Sequence, residues 1–251
     1  MADPRDALDA LDERALAQQL RVPRLVRFAT VASTMDEVHA LGAAGEPAGA
    51  CVLADAQAAG RGRGGKTWSS EAGAGLWLSL LERPETASGL DVLSLRLGLA
   101  AAPVLEAYAP GPVRLKWPND LYVAGGKLAG ILVEARWHGP QVEWVTIGIG
   151  VNLAAPPSVA SATSLRAGTR RLDVLRSLVP ALRHAAELRG PLSGSERAEY
   201  ASRDFAVGRR CLEPAPGLVR GITDDGSLII VTDTGESHFR GGSLVLAEET
   251  P

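Results

Sequence analysis

Apolar positions along the chain recur with the spacing of helices and of strands in turn. Residues 5–20 predict a helix whose apolar face is formed by four leucines, Leu8, Leu11, Leu16 and Leu20. Thr34 and Glu37 have the spacing of a capping box and predict a helix that runs to about Leu41. Helical spacing also predicts helices over residues 90–108, 171–188 and 194–204.

Short alternating or apolar runs, bounded by glycine and polar residues, predict strands between these helices. The runs are "RLVRFAT", "GACVLADA", "GLWLSLL", "VRLKW", "DLYV", "KLAGILVEA" and "QVEWVTIGIGVNL". Gly125 and Gly126 predict a two-residue hairpin turn. From Val207 onward the chain changes to short strands broken by Asp225-Gly226 and Thr234-Gly235, so we predict two domains, residues 1–205 and a small all-β unit, 206–251.

The composition is that of an ordinary globular protein, with 46% hydrophobic and 22% charged residues among 251. A net charge of −3 argues against a general binder of nucleic acid or anionic membranes. Two cysteines are too few for a disulfide framework, the N-terminus has no apolar signal core, and no apolar run approaches the roughly 18 residues of a membrane span. We therefore predict a cytoplasmic protein with no membrane partner.

Rare residue types are concentrated in one part of the chain. Arginine supplies nearly all positive charge, and the three lysines and two asparagines are Lys66, Lys116, Asn119, Lys127 and Asn152. An ammonium is not interchangeable with a guanidinium, nor a carboxamide with a carboxylate. This distribution predicts a functional site built between residues 66 and 152, although Lys116, between two apolar neighbours, is predicted to be structural.

The basic segment "AAGRGRGGKTW", residues 58–68, matches the P-loop pattern from Gly60 to Thr67. A P-loop leads directly into a helix whose N-terminal amides complete the phosphate site. Here two glycines and a strand-like run follow, and five residues separate "CVLA" from Gly60, so a P-loop ATPase is disfavoured. A single copy between two core strands also disfavours an RNA-binding RGG segment. An ordinary surface turn stays open as an alternative.

Four motifs together, "QAAGRGRGGKTW", "KWPNDLY", "GGKLAGILVE" and "GIGVNL", resemble the biotin protein ligase family in order and separation. The resemblance covers roughly residues 24–153. It implies an α/β fold with a mixed sheet flanked by helices, like the class II aminoacyl-tRNA synthetase and biotin-lipoate ligase superfamily, with a small C-terminal SH3-like β-barrel. It further implies ATP-dependent attachment of biotin, through biotinyl-AMP, to a lysine of a biotin carboxyl carrier protein, a subunit of acetyl-CoA carboxylase.

This chemistry requires two anions to meet, because the biotin carboxylate attacks the α-phosphate of ATP. Unit charges about 4 Å apart repel by roughly 4 kcal/mol at an effective dielectric constant of 20, so cations and Mg²⁺ must neutralise them. The resemblance assigns this role to Arg61, Arg63 and Lys127, with Arg63 near the linking phosphate. Gly60 and the glycines after it are expected to let the loop close over the ligand.

The resemblance also assigns the remaining contacts. Around the ureido ring of biotin it places Ser33, Thr34, Gln57 and Arg61, and beside the ligand it places Trp68. On the nucleotide side it places Asn119, Asp120 and Asn152, where Asp120 is the candidate Mg²⁺ ligand.

Each assignment has a purely structural alternative. Ser33 and Thr34 are also suited to capping a helix, and Trp68 to packing in the core. Asn119 and Asp120 also suit a turn after Pro118, and Lys127 a solvated turn.

Three departures from the family pattern concern Met35, Lys66 and the segment "GGSLVL". Relatives commonly have asparagine at the position of Met35 and arginine at that of Lys66, and here no arginine ends the C-terminal segment.

Only 23 residues precede the first predicted strand, too few for a winged helix-turn-helix, so we expect the monofunctional type without specific DNA binding. A homodimer is left open. A lipoate or other acyl-carrier ligase is the enzyme alternative; a P-loop NTPase and an RNA-binding module are the alternatives from other classes.

Overall fold

The computed structural model describes residues 8, 10–156, 159 and 161–247. The helices are α1 (Glu13–Leu20), α2 (Thr34–Ala43), α3 (Leu93–Glu106), α4 (Arg171–Glu187) and α5 (Gly194–Arg203). The strands are β1 (Leu25–Val31), β2 (Cys51–Gln57), β3 (Gly75–Glu82), β4 (Arg114–Lys116), β5 (Asp120–Val123), β6 (Gly126–His138), β7 (Gln141–Asn152), β8 (Arg210–Glu213), β9 (Gly217–Ile222), β10 (Leu228–Thr232), β11 (Gly235–Phe239) and β12 (Val245–Leu246). None of the helices in these ranges is long and apolar enough to cross a membrane.

A seven-stranded mixed sheet forms the centre of the molecule, in the order β1-β2-β3-β7-β6-β5-β4. Strands β1 and β2 pair in parallel and all other neighbours are antiparallel. This confirms the predicted mixed α/β class. A separate antiparallel sheet has the order β11-β10-β9-β8-β12 and lies within residues 206–251, while the domain boundary itself stays a prediction.

The two faces of the large sheet are covered by different helices. Along β2, Cys51 and Leu53 point into the larger core with α3 and α4, while Val52 points to the opposite face with α2. This alternation follows from the two-residue period of a strand. Helix α2 packs on β2, β3 and β7 and thereby forms one wall of the space described below.

The first predicted helix is shorter than expected. Helix α1 begins at Glu13 because the Asp12 side chain accepts a hydrogen bond from the Ala15 backbone N–H at 2.7 Å. An N-cap of this kind satisfies a free amide of the first turn. The prediction of one helix from residue 5 is therefore wrong at residues 10–12, and residues 5–7 and 9 lie outside the described part.

Two local motifs also differ from the prediction. Ser33, not Thr34, caps α2, and its Oγ accepts from the Met35 N–H at 3.3 Å. The β5–β6 turn is centred on Ala124 and Gly125, whose φ angles are 50° and 82°, and Gly126 already pairs with Val123 as the first residue of β6. Two consecutive positive φ angles are those of a type I′ hairpin turn, so the turn lies one residue earlier than predicted.

Candidate active site

A cavity of about 610 Å³ opens on the face of the large sheet that carries α2. Nine of the residues predicted to contact ligand line it, namely Ser33, Thr34, Gln57, Arg61, Arg63, Trp68, Asn119, Asp120 and Lys127. They come from the start of α2, the end of β2, the loop after it, and the β5–β6 hairpin. The structure thus gathers into one space residues that are separated by up to about a hundred positions.

The cavity exists because side chains become small along β7. Those that face α2 decrease from Trp144 and Thr146 to Gly148 and Gly150. Gly150 pairs with Gly130 of β6, and the Trp68 indole lies on this pair: a Cβ at Gly150 would be 2.5 Å from Trp68 Nε1, and one at Gly130 would be 2.8 Å from Trp68 Cζ3. The glycines are therefore required by close approach, and Trp68 is part of the site.

One wall of the cavity is a continuous network of polar side chains. Gln57 Oε1 accepts from the N–H and the hydroxyl of Thr34 at 2.8 and 3.1 Å, and Ser79 donates to Thr34 Oγ1 at 2.8 Å. Gln57 Nε2 donates to Ser70 Oγ at 2.8 Å, and Ser70 donates to the Trp68 carbonyl at 3.3 Å. A fully connected network holds its members in fixed positions, which gives this wall preset donors and acceptors.

The opposite end of the cavity carries the charged pair Lys127 and Asp120. Lys127 Nζ lies 2.8 Å from Asp120 Oδ1 and 5.1 Å from the centre of the Trp68 ring. The Lys127–Asp120 contact has the distance of an ion pair but not hydrogen-bond angles, so this buried Asp120 oxygen has no directed donor within the described residues. Lys127 is fixed by its backbone, since its N–H donates to Ser161 O and its carbonyl accepts from Thr163 N–H.

Asn152 and Asn119 use their amides to hold the backbone in place. Asn152 Nδ2 donates to the carbonyls of Lys127 and Thr163, at 3.2 and 3.0 Å, and its side chain does not line the cavity. Asn119 Nδ2 donates to Ile131 O at 2.6 Å. Both asparagines therefore position the β5–β6 region, and their nucleotide contacts stay predictions.

The loop after β2 is closed by an antiparallel bridge between Arg61 and Thr67 and contains a single 3-10 turn, Arg63–Gly65. No α-helix follows it before β3, which supports the rejection of a P-loop. The predicted five-residue spacing before Gly60 is wrong, however, because β2 extends to Gln57 and only two residues separate the strand from Gly60. Gly60 does not line the cavity. A Cβ at Gly60 would lie 2.5 Å from the Trp68 carbonyl oxygen, so a residue without a side chain is needed where the loop folds back on itself.

The two loop arginines have different partners. Arg61 Nη2 lies 3.2 Å from Glu134 Oε2 and 3.1 Å from Asp36 Oδ1. Arg63 Nη1 donates to the carbonyl of Gly242, and residues 242–245, which lead into β12, line the cavity. The "GGSLVL" segment thus contributes backbone to the site even without a terminal arginine.

Sequence reasoning missed several residues of this site. Glu134 is the last residue of the motif "GGKLAGILVE" and Asp36 lies inside the predicted capping box, but neither was predicted to belong to the site. Ser70 and Ser79 carry no motif that would single them out. Lys116, predicted to be structural, lines the cavity, and its Nζ lies 5.3 Å from the centre of the Tyr122 ring.

Within the described ranges, no group of three or more His, Cys, Asp and Glu side chains could hold a metal ion by itself. Mg²⁺ is commonly held by one or two carboxylates together with substrate phosphates. Asp120 Oδ1 is buried and has no directed hydrogen-bond donor. It therefore fits a site in which one carboxylate and substrate phosphates hold Mg²⁺ together, and not a site built from protein ligands alone.

Comparison with known proteins places this architecture among characterised relatives. The model of the biotin/lipoate A/B protein ligase family matches residues 28–152. The biotin–acetyl-CoA-carboxylase ligase of Mycobacterium tuberculosis is 33% identical, over 88% of this chain and 90% of that protein. The bifunctional ligase/repressor BirA of Escherichia coli is 33% identical over 79% of this chain. The region that matches this chain is only part of four bifunctional ligase/repressor relatives: it covers 66% of the E. coli protein and 38%, 42% and 33% of three others.

Among solved structures, the biotin protein ligase of Aquifex aeolicus in complex with biotin and ATP has a TM-score of 0.69 and 26% sequence identity to this chain. The match covers 89% of this chain and 98% of that one. The structural match therefore extends beyond residues 28–152, the part matched by the family model.

Proposed function

This chain belongs to the biotin/lipoate A/B protein ligase family, and from that premise we propose that it activates biotin with ATP and transfers the biotinyl group to a carrier-protein lysine. In the first step an oxygen of the biotin carboxylate bonds to the α-phosphorus of ATP and pyrophosphate leaves. In the second step the lysine amine attacks the carbonyl of the mixed anhydride and AMP leaves. The carrier is a biotin carboxyl carrier protein, as in acetyl-CoA carboxylase.

The observation that carries this proposal is the polarity of the cavity. A neutral hydrogen-bonding wall, formed around Thr34 and Gln57, faces a charged end formed by Lys127 and Asp120. A ureido ring offers a carbonyl acceptor and N–H donors, which a wall of hydroxyl and carboxamide groups can satisfy. A carboxylate and a phosphate need cations instead, which Lys127 and the loop arginines supply.

Trp68, whose indole lies against Gly130 and Gly150, also supports a biotin site. Its indole occupies the sheet face between the polar wall and Lys127, and it provides an apolar surface for the ring system and chain of biotin. The loop of residues 58–68 covers this space and excludes water from the reactive anhydride. In this scheme Arg61 and Arg63 stabilise the negative charge that accumulates at the phosphate.

Several finer assignments belong to the same proposal. Asp120, with nucleotide phosphates, would hold Mg²⁺, which supplies further charge neutralisation during adenylation. The second sheet is proposed to be an SH3-like barrel, residues 206–251 to be a separate domain, and the protein to be cytoplasmic. The protein is proposed to bind no specific DNA.

Release of pyrophosphate in the presence of ATP, Mg²⁺ and biotin tests the proposal, with biotin replaced by lipoate in a parallel reaction. We expect release that depends on biotin and not on lipoate, and transfer of biotin to an added carrier domain. Lipoate-dependent release would instead assign the chain to the lipoate branch of its family. Release of phosphate from ATP without either acid would refute a ligase.

A further inference from the structure

Beside the cavity, four side chains form a chain of hydrogen bonds, and the proposed chemistry uses only one of them, Arg61. The other three are Glu134, His39 and Trp144, and we call the four together the Arg61 latch. Arg61 belongs to the glycine-rich loop, Glu134 to β6, His39 to α2 and Trp144 to β7. The latch therefore connects the glycine-rich loop to β6, β7 and the helix α2 that packs on the sheet.

Two donors converge on a single oxygen of Glu134. Arg61 Nη2 lies 3.2 Å and His39 Nε2 lies 2.9 Å from Glu134 Oε2. The side chains of His39, Glu134 and Arg61 are 27%, 32% and 37% exposed, so the cluster is only partly screened by water. Asp36 also contacts Arg61, at 3.1 Å, but its side chain is 55% exposed and has more freedom.

The indole of Trp144 determines which nitrogen of His39 carries the proton. Trp144 Nε1 donates to His39 Nδ1 at 3.0 Å. An indole N–H is only a donor, so Nδ1 must be the acceptor, and the proton of the neutral ring lies on Nε2. Nε2 therefore donates to Glu134, and His39 is held in the orientation in which it stabilises the carboxylate.

The scaffold side of the latch is fixed by packing. A Cβ at Gly42 would lie 2.8 Å from the Trp144 ring, so the indole fits directly against α2. Thr146 pairs with Glu134 across the two strands; its hydroxyl lies 3.3 Å from the Glu134 carbonyl and 3.2 Å from His39 Nε2. These contacts limit where Glu134 can go, and hence where Arg61 can go.

We propose that His39 is a positioning residue that acts through Glu134 to hold Arg61, and with it the loop of residues 58–68, over the cavity. Ordering a glycine-rich loop costs conformational entropy when a ligand binds. A latch that orders the loop beforehand removes part of that cost, so it lowers the biotin concentration needed for adenylation. This last consequence rests on the proposed function, whereas the ordering of the loop does not.

The test compares His39→Leu, which removes the donor, with His39→Gln, whose amide N–H can still donate to Glu134. His138→Leu is the matched control, because His138 is 84% exposed on the β6–β7 hairpin and lies outside the latch. In the ligand-free folded proteins, cleavage by trypsin after Arg61, Arg63 and Lys66 is followed by mass spectrometry. We expect about three- to tenfold faster cleavage for His39→Leu, the range for a hydrogen bond to a partly exposed charge, and nearly wild-type rates for the other two variants.

Adenylation assays supply the second measurement. His39→Leu is expected to raise the KM for biotin by a similar factor while kcat stays within about twofold, because a positioning residue alters the cost of ordering and not the chemical step. Glu134→Leu, which removes the acceptor, provides the same comparison should His39→Leu fail to fold. Wild-type cleavage rates in the folded His39→Leu or Glu134→Leu protein would overturn the proposal. If the wild-type protein shows no biotin-dependent reaction, the trypsin measurement still decides the latch.

Discussion

Replacement of Lys127 by alanine tests the charged end of the cavity most directly. In the ligand-free protein its ammonium lies 2.8 Å from Asp120 Oδ1 and its side chain is 29% exposed, so the site is neither dry nor fully solvated. A carboxylate and an α-phosphate about 4 Å apart repel by about 4 kcal/mol at an effective dielectric constant of 20. If Lys127 cancels most of this repulsion, its loss slows adenylation by about a thousandfold.

The fold should survive this substitution. The backbone of Lys127 keeps its hydrogen bonds to Ser161 and Thr163, and the Asn152 amide still donates to its carbonyl. The side chain contributes one partly exposed ion pair and one cation–π contact with Trp68, each worth up to about 1 kcal/mol. We therefore expect the free energy of unfolding to fall by at most about 2 kcal/mol.

The assay is biotin-dependent release of pyrophosphate, measured beside urea unfolding of the same preparations. Arg136→Ala is the matched control, since Arg136 is an exposed cation on the same strand that does not line the cavity. The control should retain wild-type activity. Normal pyrophosphate release by the Lys127→Ala protein would refute the charge argument, and loss of the folded state would show that the backbone anchors are weaker than their geometry indicates.

Three further substitutions test other parts of the structure. Gly150→Ala places a Cβ 2.5 Å from Trp68 Nε1, so we expect the free energy of unfolding to fall by about 1–3 kcal/mol and tryptophan fluorescence to change; an unchanged protein would mean that the indole is not seated there. Arg61→Ala should weaken biotin binding in calorimetry or release biotinyl-AMP into solution, and full activity would show that the loop charge is misplaced. Burial raises the pKa of the Asp204 carboxyl, outweighing two backbone N–H donors that lower it. Because the pKa is higher in the folded state, the ionised carboxylate destabilises the fold as pH rises. Asp204→Asn should therefore be more stable than wild type at neutral pH, and this advantage should disappear below about pH 3, where the carboxyl is protonated in both states. A stabilising carboxylate would show the opposite trend.

The predicted elements agree with the structure where the signal is local. Strand β3 is found at Gly75–Glu82, where a short apolar run with an aromatic residue, preceded by glycines, is typical of a buried strand. Two of the local errors have local causes as well. Asp12 ends the first helix early by capping the next turn, and Ala124 adopts a positive φ that alanine rarely takes, which moves the hairpin turn by one residue.

The sequence by itself determined the strands, most of the helices, the concentration of the few lysines and asparagines near the site, and the motifs that assign the family. The elements depend on the pattern of residues within a few neighbouring positions, and the family assignment depends on short motifs that can be compared directly between sequences. The tertiary structure alone decided that β7 lies between β3 and β6, which brings Gly130 and Gly150 side by side under Trp68. It also gave the Asn152 amide a backbone-holding role and gave Arg61 its partner Glu134. Cross-strand neighbours are set by sheet order and register, and residues distant in sequence carry no local pattern that records either.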